Sequence, residues 1–139
     1  DYMNTFKLKI ISSSKVFFDG ECESVTVPYY DGGGQCFMAH HVNTVMPIDV
    51  GEMTVKTADG EIINAFVSNG FIEFLDNEAK IVCVSAELPN EIDKRRAEEA
   101  KLRAEEELRQ HMSQYEYNAT KANLARAMER IKVKNRHEI

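Results

Sequence analysis

The hydrophobic period of the chain changes once, near residue 89, and that change limits the fold more than any other feature. Before it, apolar residues alternate with polar ones: Phe6-Leu8-Ile10 around Lys7 and Lys9, Val25-Val27 around Thr26, Met53-Val55 around Thr54. A period of two is the mark of half-buried strands. Further apolar runs cover 61–67, 71–75 and 79–84, with turn dipeptides at Asp19-Gly20, Asp59-Gly60, Asn69-Gly70 and Asp76-Asn77. Asn, Asp and Gly tolerate the positive φ of tight hairpin turns. Strands at about ten-residue intervals with no helical segment between them predict a β-sandwich or barrel.

After Pro89 the period lengthens to about 3.6. No Gly or Pro interrupts residues 90–110, and Ala97, Ala100, Ala104 and Leu108 form one narrow apolar stripe. Asn90 is the expected cap of this helix, with Asp93 near its positive end. Residues 111–118 break the pattern. A second helix is expected from about 117 to 133, with Ala119, Ala122, Leu124, Ala125, Ala127, Met128 and Ile131 as its small-residue face. Two alanine-striped rods with a short connector predict an antiparallel hairpin. Because alanine buries little area, this hairpin should open easily.

Charge divides at the same place. Residues 1–89 hold 5 basic and 13 acidic side chains, and residues 90–139 hold 12 basic and 10 acidic ones. The boundary therefore falls at 88/89, giving domains 1–88 and 89–139. A net charge of −6 argues against nucleic acid as a partner. No apolar run approaches the roughly 18 residues of a membrane span, and no basic-then-apolar leader precedes the strands. Cys22, Cys36 and Cys83 lack CxxC spacing and read as buried small hydrophobes in a reducing compartment.

Catalytic chemistry is not apparent. Cys36, His40 and His41 have metal-binding side chains, but adjacent residues on a strand point to opposite faces and no fourth ligand follows, so no metal is expected. The Gly32-Gly33-Gly34 run lacks the Gly-Lys-Ser/Thr of a phosphate loop and reads as a long flexible turn. Ser12-Ser13-Ser14 has no neighbouring base. On the helices, charged pairs such as Glu99 with Arg103 and Glu105 with Arg109 account for much of the surface. Arg96 and Arg103 nevertheless share a face, as do Arg126 and Arg130. If those faces meet, four guanidiniums converge beside Asp93, and an anion is needed to offset them.

The order of motifs resembles the epsilon subunit of the bacterial rotary ATP synthase. It includes Phe17-Phe18-Asp19-Gly20 with Val25, the Asp31-Gly32 turn, Val67-Ser68-Asn69-Gly70-Phe71, Ser85-Ala86-Glu87, Ile92-Asp93-Lys94-Arg95-Arg96-Ala97 and Arg126-Ala127-Met128-Glu129-Arg130-Ile131. The resemblance implies a ten-stranded β-sandwich that binds the gamma subunit and the membrane rotor ring of c subunits, followed by a mobile two-helix hairpin. It further implies a non-catalytic central-stalk subunit on the cytoplasmic face of the cell membrane, coupling proton-driven rotation to ATP synthesis. When extended, the helices would meet the catalytic beta and alpha subunits and inhibit ATP hydrolysis. ATP would act as a regulatory ligand of the closed hairpin. The matching ATP-binding positions are Ile92, Asp93, Arg96 and Ala97, with Glu87, Arg103, Arg126 and Arg130. One segment departs from the family pattern GxLPGHxP: residues 36–43 read Cys-Phe-Met-Ala-His-His-Val-Asn, and the resemblance places this segment near the rotor-ring contact. A free-standing ATP-sensing protein is the alternative, and copurification with the catalytic subunits separates the two.

Overall fold

The structure, a computed structural model, describes residues 4–30, 32–110 and 112–138. The chain forms two compact units, Asp1–Leu88 and Pro89–Ile139. Asp31 of the expected Asp31-Gly32 turn and His111 of the expected helix break lie outside the described residues.

The first unit contains nine strands among the described residues: β1 (Phe6–Ile11), β2 (Val16–Tyr29), β3 (Gly33–Met38), β4 (Thr44–Ile48), β5 (Gly51–Thr57), β6 (Ile62–Val67), β7 (Gly70–Leu75), β8 (Glu78–Cys83) and β9 (Ala86–Glu87). Their order is β4-β7-β8-β1-β2-β5-β6-β9, with β3 paired to β2. All pairs are antiparallel except β1 with β8.

The strand β2 turns this path into a sandwich. Its first half pairs with β1 from Val16 to Cys22, and its second half pairs with β3 and β5. The pairing with β5 shifts register between Cys22 and Ser24. One extra residue there changes the inward parity from Cys22 to Val25 and Val27, all buried, as a β-bulge does when it bends a strand from one sheet into another. Residues from both halves then share one core, including Leu8, Ile10, Ile72, Phe74 and Ile81 with Val25, Phe37, Met53, Val55 and Val67. Phe37 and Phe74 stack at 5.9 Å between ring centroids. Each such side chain contributes about 1.5–3 kcal/mol on burial. The count falls one short of ten, with β2 counted once although its halves serve different sheets.

Three sequence expectations are corrected in this unit. Asp19-Gly20 is no turn: it lies inside β2, opposite Lys9 and Leu8, and the chain reverses instead at Ser12–Lys15, where Ser12 N–H donates to Lys15 O at 2.9 Å. The glycine run is no long flexible turn either. Gly33 and Gly34 pair with Tyr29 and Pro28 in the β2–β3 ladder, and Gly33 N–H closes a tight turn on Tyr30 O at 2.9 Å. Of the cysteines, Cys22 and Cys83 are buried but Cys36 is exposed on β3, because Phe37 takes the inward position beside it.

The segment 36–43 that departs from the expected pattern is held by polar contacts. His40 N–H donates to Asn77 Oδ1 at 2.7 Å, Asp76 N–H to Asn43 Oδ1 at 3.0 Å, and Asn77 Nδ2 to Thr5 O at 3.1 Å. The His41 ring packs on Phe37 at 4.5 Å and on Phe74 at 5.6 Å.

In the second unit a 3-10 turn (Pro89–Glu91) precedes α1 (Lys94–Leu108), and α2 spans Gln114–His137. The cap of α1 is Asp93, not Asn90: its carboxylate accepts from Arg96 N–H at 3.1 Å. The 3-10 turn uses up Asn90 and shortens the helix to 15 residues. Helix α2 begins earlier than expected because Ser113 caps it, its hydroxyl oxygen accepting from Glu116 N–H at 3.2 Å while its O–H donates to the Glu116 carboxylate at 2.9 Å.

Candidate functional site

The two helices pack antiparallel. Thr120 Oγ1 lies 3.5 Å from Glu107 Oε2, near the connector. Lys94 Nζ is 3.6 Å from Glu138 Oε2 at the other end. Ala97 and Ala104 of α1 are buried, with Thr120, Ala127 and Val133 of α2. The face expected for α2 is therefore only partly right. Ala127 is buried, and Leu124 and Ile131 are half-buried, but Ala119, Ala122, Ala125 and Met128 are exposed. Alanines occur all around this helix, so composition alone does not mark its inner side. Thr120 is buried because Glu107 receives its hydroxyl.

The placement of the arginines follows from these buried positions. Arg96 and Arg103 each precede a buried alanine by one residue, as Arg126 precedes Ala127. One residue is about 100° of helical rotation, and in an antiparallel pair equal offsets from the interface fall on the same side of the pair. Arg130, three residues past Ala127, returns to within about 60° of it in the same sense. With the buried alanines as reference, helical rotation assigns all four arginines to one side of the hairpin.

Their partners differ. Arg96 and Arg103 are exposed, Arg126 and Arg130 half-buried. Arg126 Nη2 donates to Asn123 Oδ1, and Arg103 has no ion pair among the described residues. The pairs expected from spacing take other forms: Glu99 binds Arg95 at 3.2 Å in place of Arg103, and Arg109 binds Glu106 in place of Glu105. Ile92 is buried, and Asp93 is exposed with its carboxylate engaged as the cap. Glu87 stands in β9 of the first unit, opposite Phe66 and half-buried.

Chemically, this side of the hairpin is suited to a polyvalent anion. Guanidiniums from both helices supply forked donors, and the buried alanines keep the helix axes close. Asn123 was not legible as part of the group, although its spacing of three from Arg126 on a helix is a usable signal. Among the described residues, no group of three or more His, Cys, Asp or Glu is placed to hold a metal ion.

Comparison with known proteins agrees with this architecture. Residues 5–89 match the family model for the β-sandwich domain of the ATP synthase delta/epsilon chain, and residues 90–135 match that for its long α-helix domain. The ATP synthase epsilon chain of Ruminiclostridium cellulolyticum is 40% identical over 134 residues, covering 96% of this chain and 98% of the relative. That of Caldicellulosiruptor bescii is 36% identical over 139 residues, covering 99% and 100%. Among solved structures, a chain of the Euglena gracilis mitochondrial ATP synthase shares the fold with a TM-score of 0.73 at 18% identity, covering 88% of this chain and 76% of that one. On the two domain matches and the length of these alignments, the chain belongs to the ATP synthase delta/epsilon chain family.

Proposed function

We propose that this chain couples rotation to ATP synthesis through its sandwich and restrains ATP hydrolysis through its helices, with ATP favouring the closed hairpin. As a member of its family it is a non-catalytic subunit of the ATP synthase central stalk. The sandwich, residues 1–88, is the part that binds the gamma subunit and the c-subunit ring. The hairpin, residues 89–139, is the regulatory part, and its extended form reaches the catalytic beta and alpha subunits. No helix among the described residues is long and apolar enough to cross a membrane, and a peripheral position on the cytoplasmic face of the bacterial membrane fits attachment through the stalk.

What supports the regulatory reading is that helical rotation from the buried alanines puts Arg96, Arg103, Arg126 and Arg130 on one side of a hairpin whose buried positions are alanine, threonine and valine. Weak packing and mutual repulsion both favour opening, and a triphosphate opposes both. ATP shifts the equilibrium only as far as it prefers the closed form. Ile92, Asp93 and Ala97 of the hairpin complete the proposed site.

The test is deletion of residues 112–139 in the assembled catalytic complex. Hydrolysis should rise at low ATP and change less at high ATP. Equal hydrolysis with and without the deletion at every ATP concentration removes the brake from the proposal.

A further inference from the structure

The helices are joined covalently at one end by residues 109–113, so any opening that keeps them helical begins at the other end, where α1 starts and α2 finishes. Two charged contacts cross there. Lys134 Nζ donates to Pro89 O at 3.0 Å. Lys94 Nζ pairs with Glu138 Oε2 at 3.6 Å. The Pro89 carbonyl also accepts from Ile92 N–H at 3.2 Å, so one oxygen fixes both the 3-10 turn and the last turns of α2. Ile92 and Val133, adjacent in sequence to Asp93 and Lys134, are buried.

We infer that the last turns of α2 are a latch on the free end of the hairpin, in which Lys134 grips the Pro89 carbonyl and Glu138 grips Lys94. This deepens the proposed function and rests on its reading of the hairpin as an element that opens. The alanines along the interior supply little resistance, so the free end is held by buried Ile92 and Val133 together with these two contacts. A helix end fraying from such a partner has a low local opening free energy, and small contacts placed there alter the open population directly. The latch also adjoins Asp93, so its release loosens the segment that carries the cap of α1. Being charged and partly solvated, it should weaken with salt.

The experiment uses the isolated full chain without nucleotide and reads amide hydrogen exchange at Ala97–Ala100 and Arg130–Lys134, with the strand amides as internal reference. Lys134→Met keeps the aliphatic stem and removes the donor. Exchange at both segments should then speed up about three- to tenfold, the scale of one partly exposed charged contact. Lys94→Glu and Glu138→Lys should each speed exchange, and the double reversal should restore it. Both reversed charges suit the helix dipoles, so faster exchange in the single variants reports the lost pair and not a weaker helix. Unchanged exchange in Lys134→Met, or a double reversal no slower than either single variant, overturns the latch. Because exchange is read without the catalytic complex, a failed brake and a failed latch give separate results.

Discussion

Gly70 faces the backbone of β8 so closely that a Cβ placed on it would stand 2.0 Å from the Val82 carbonyl oxygen and 2.7 Å from Cys83 Cα. Both are backbone atoms of a paired strand, so no side-chain rotation relieves the clash. Gly70→Ala should therefore force β7 away from β8 and cost about 2–4 kcal/mol, the upper part of the range for overpacking and backbone displacement. A lowered thermal midpoint of the isolated chain checks this. An unchanged midpoint would mean that the β7–β8 pair moves apart without loss.

The sandwich should fold without the helices if the cut respects β9. This strand pairs Val67 with Ala86 and Phe66 with Glu87, and Ser68 and Ser85 join their hydroxyls at 3.0 Å beside it. A chain ending at Leu88 should keep its β-sheet circular dichroism and a cooperative melt. A chain ending at Ser85 should melt at a lower temperature, because it leaves the ladder groups of β6 at Phe66 and Val67 unpaired. Aggregation of the longer fragment would show that the first unit depends on the second.

The alternation of Phe6-Leu8-Ile10 and of Met53-Val55 was enough to locate strands, because each has one wet and one dry face. The turns at Asp59-Gly60 and Asp76-Asn77 were legible for a local reason: Gly60 has φ 90, and Asp76 and Asn77 have φ 49 and 62. Asp19-Gly20 has the same chemistry but sits mid-strand, since β2 needs inward parity there and pairing with β1 outweighs turn preference. The helix cap was misplaced by three residues because Asn90 and Asp93 are both good caps, and only the 3-10 turn decides between them. The contacts of the latch were not legible from spacing. Lys134 and Pro89 are 45 residues apart, and no periodicity relates them.

Thiol chemistry should separate the three cysteines. Burial, assisted by the charge of Glu21, pushes the Cys22 thiol up to about 12, and burial pushes Cys83 up to about 11. Both folded values lie above the ordinary 9.0, so the neutral thiols favour the fold below pH 9 and that contribution is lost as pH rises toward 11 and 12. A thiol reagent at pH 8 should label Cys36 alone in the folded chain and all three in denaturant. Labelling of Cys22 at the rate of Cys36 would contradict its burial.

Asp93 should act as a cap in a way that its amide equivalent can replace. Asp93→Asn keeps an oxygen for Arg96 N–H and should leave α1 stability nearly unchanged. Asp93→Ala should cost about 1 kcal/mol, as loss of an N-cap does. Exchange protection at Ala97, whose N–H bonds Asp93 O at 3.0 Å, distinguishes the two variants. If Asp93→Asn loses ATP affinity while keeping that protection, the carboxylate has a ligand role beyond the cap.

The anion site makes the last prediction. Arg126 is held by Asn123, and its loss removes a forked donor of the proposed site at a half-buried position. Arg126→Ala should weaken ATP binding by about 1–3 kcal/mol, the range for a charge-assisted contact. Arg95→Ala is the control, because Arg95 is 88% exposed and engaged with Glu99; removing it takes away the same formal charge from α1 at a position outside the group. If simple charge drove the affinity, the two variants would lose similar amounts, and raising the salt would erase both losses. If geometry drives it, calorimetry should find a large loss for Arg126→Ala and little for Arg95→Ala. Equal losses in the two variants would reduce the site to a diffuse positive surface.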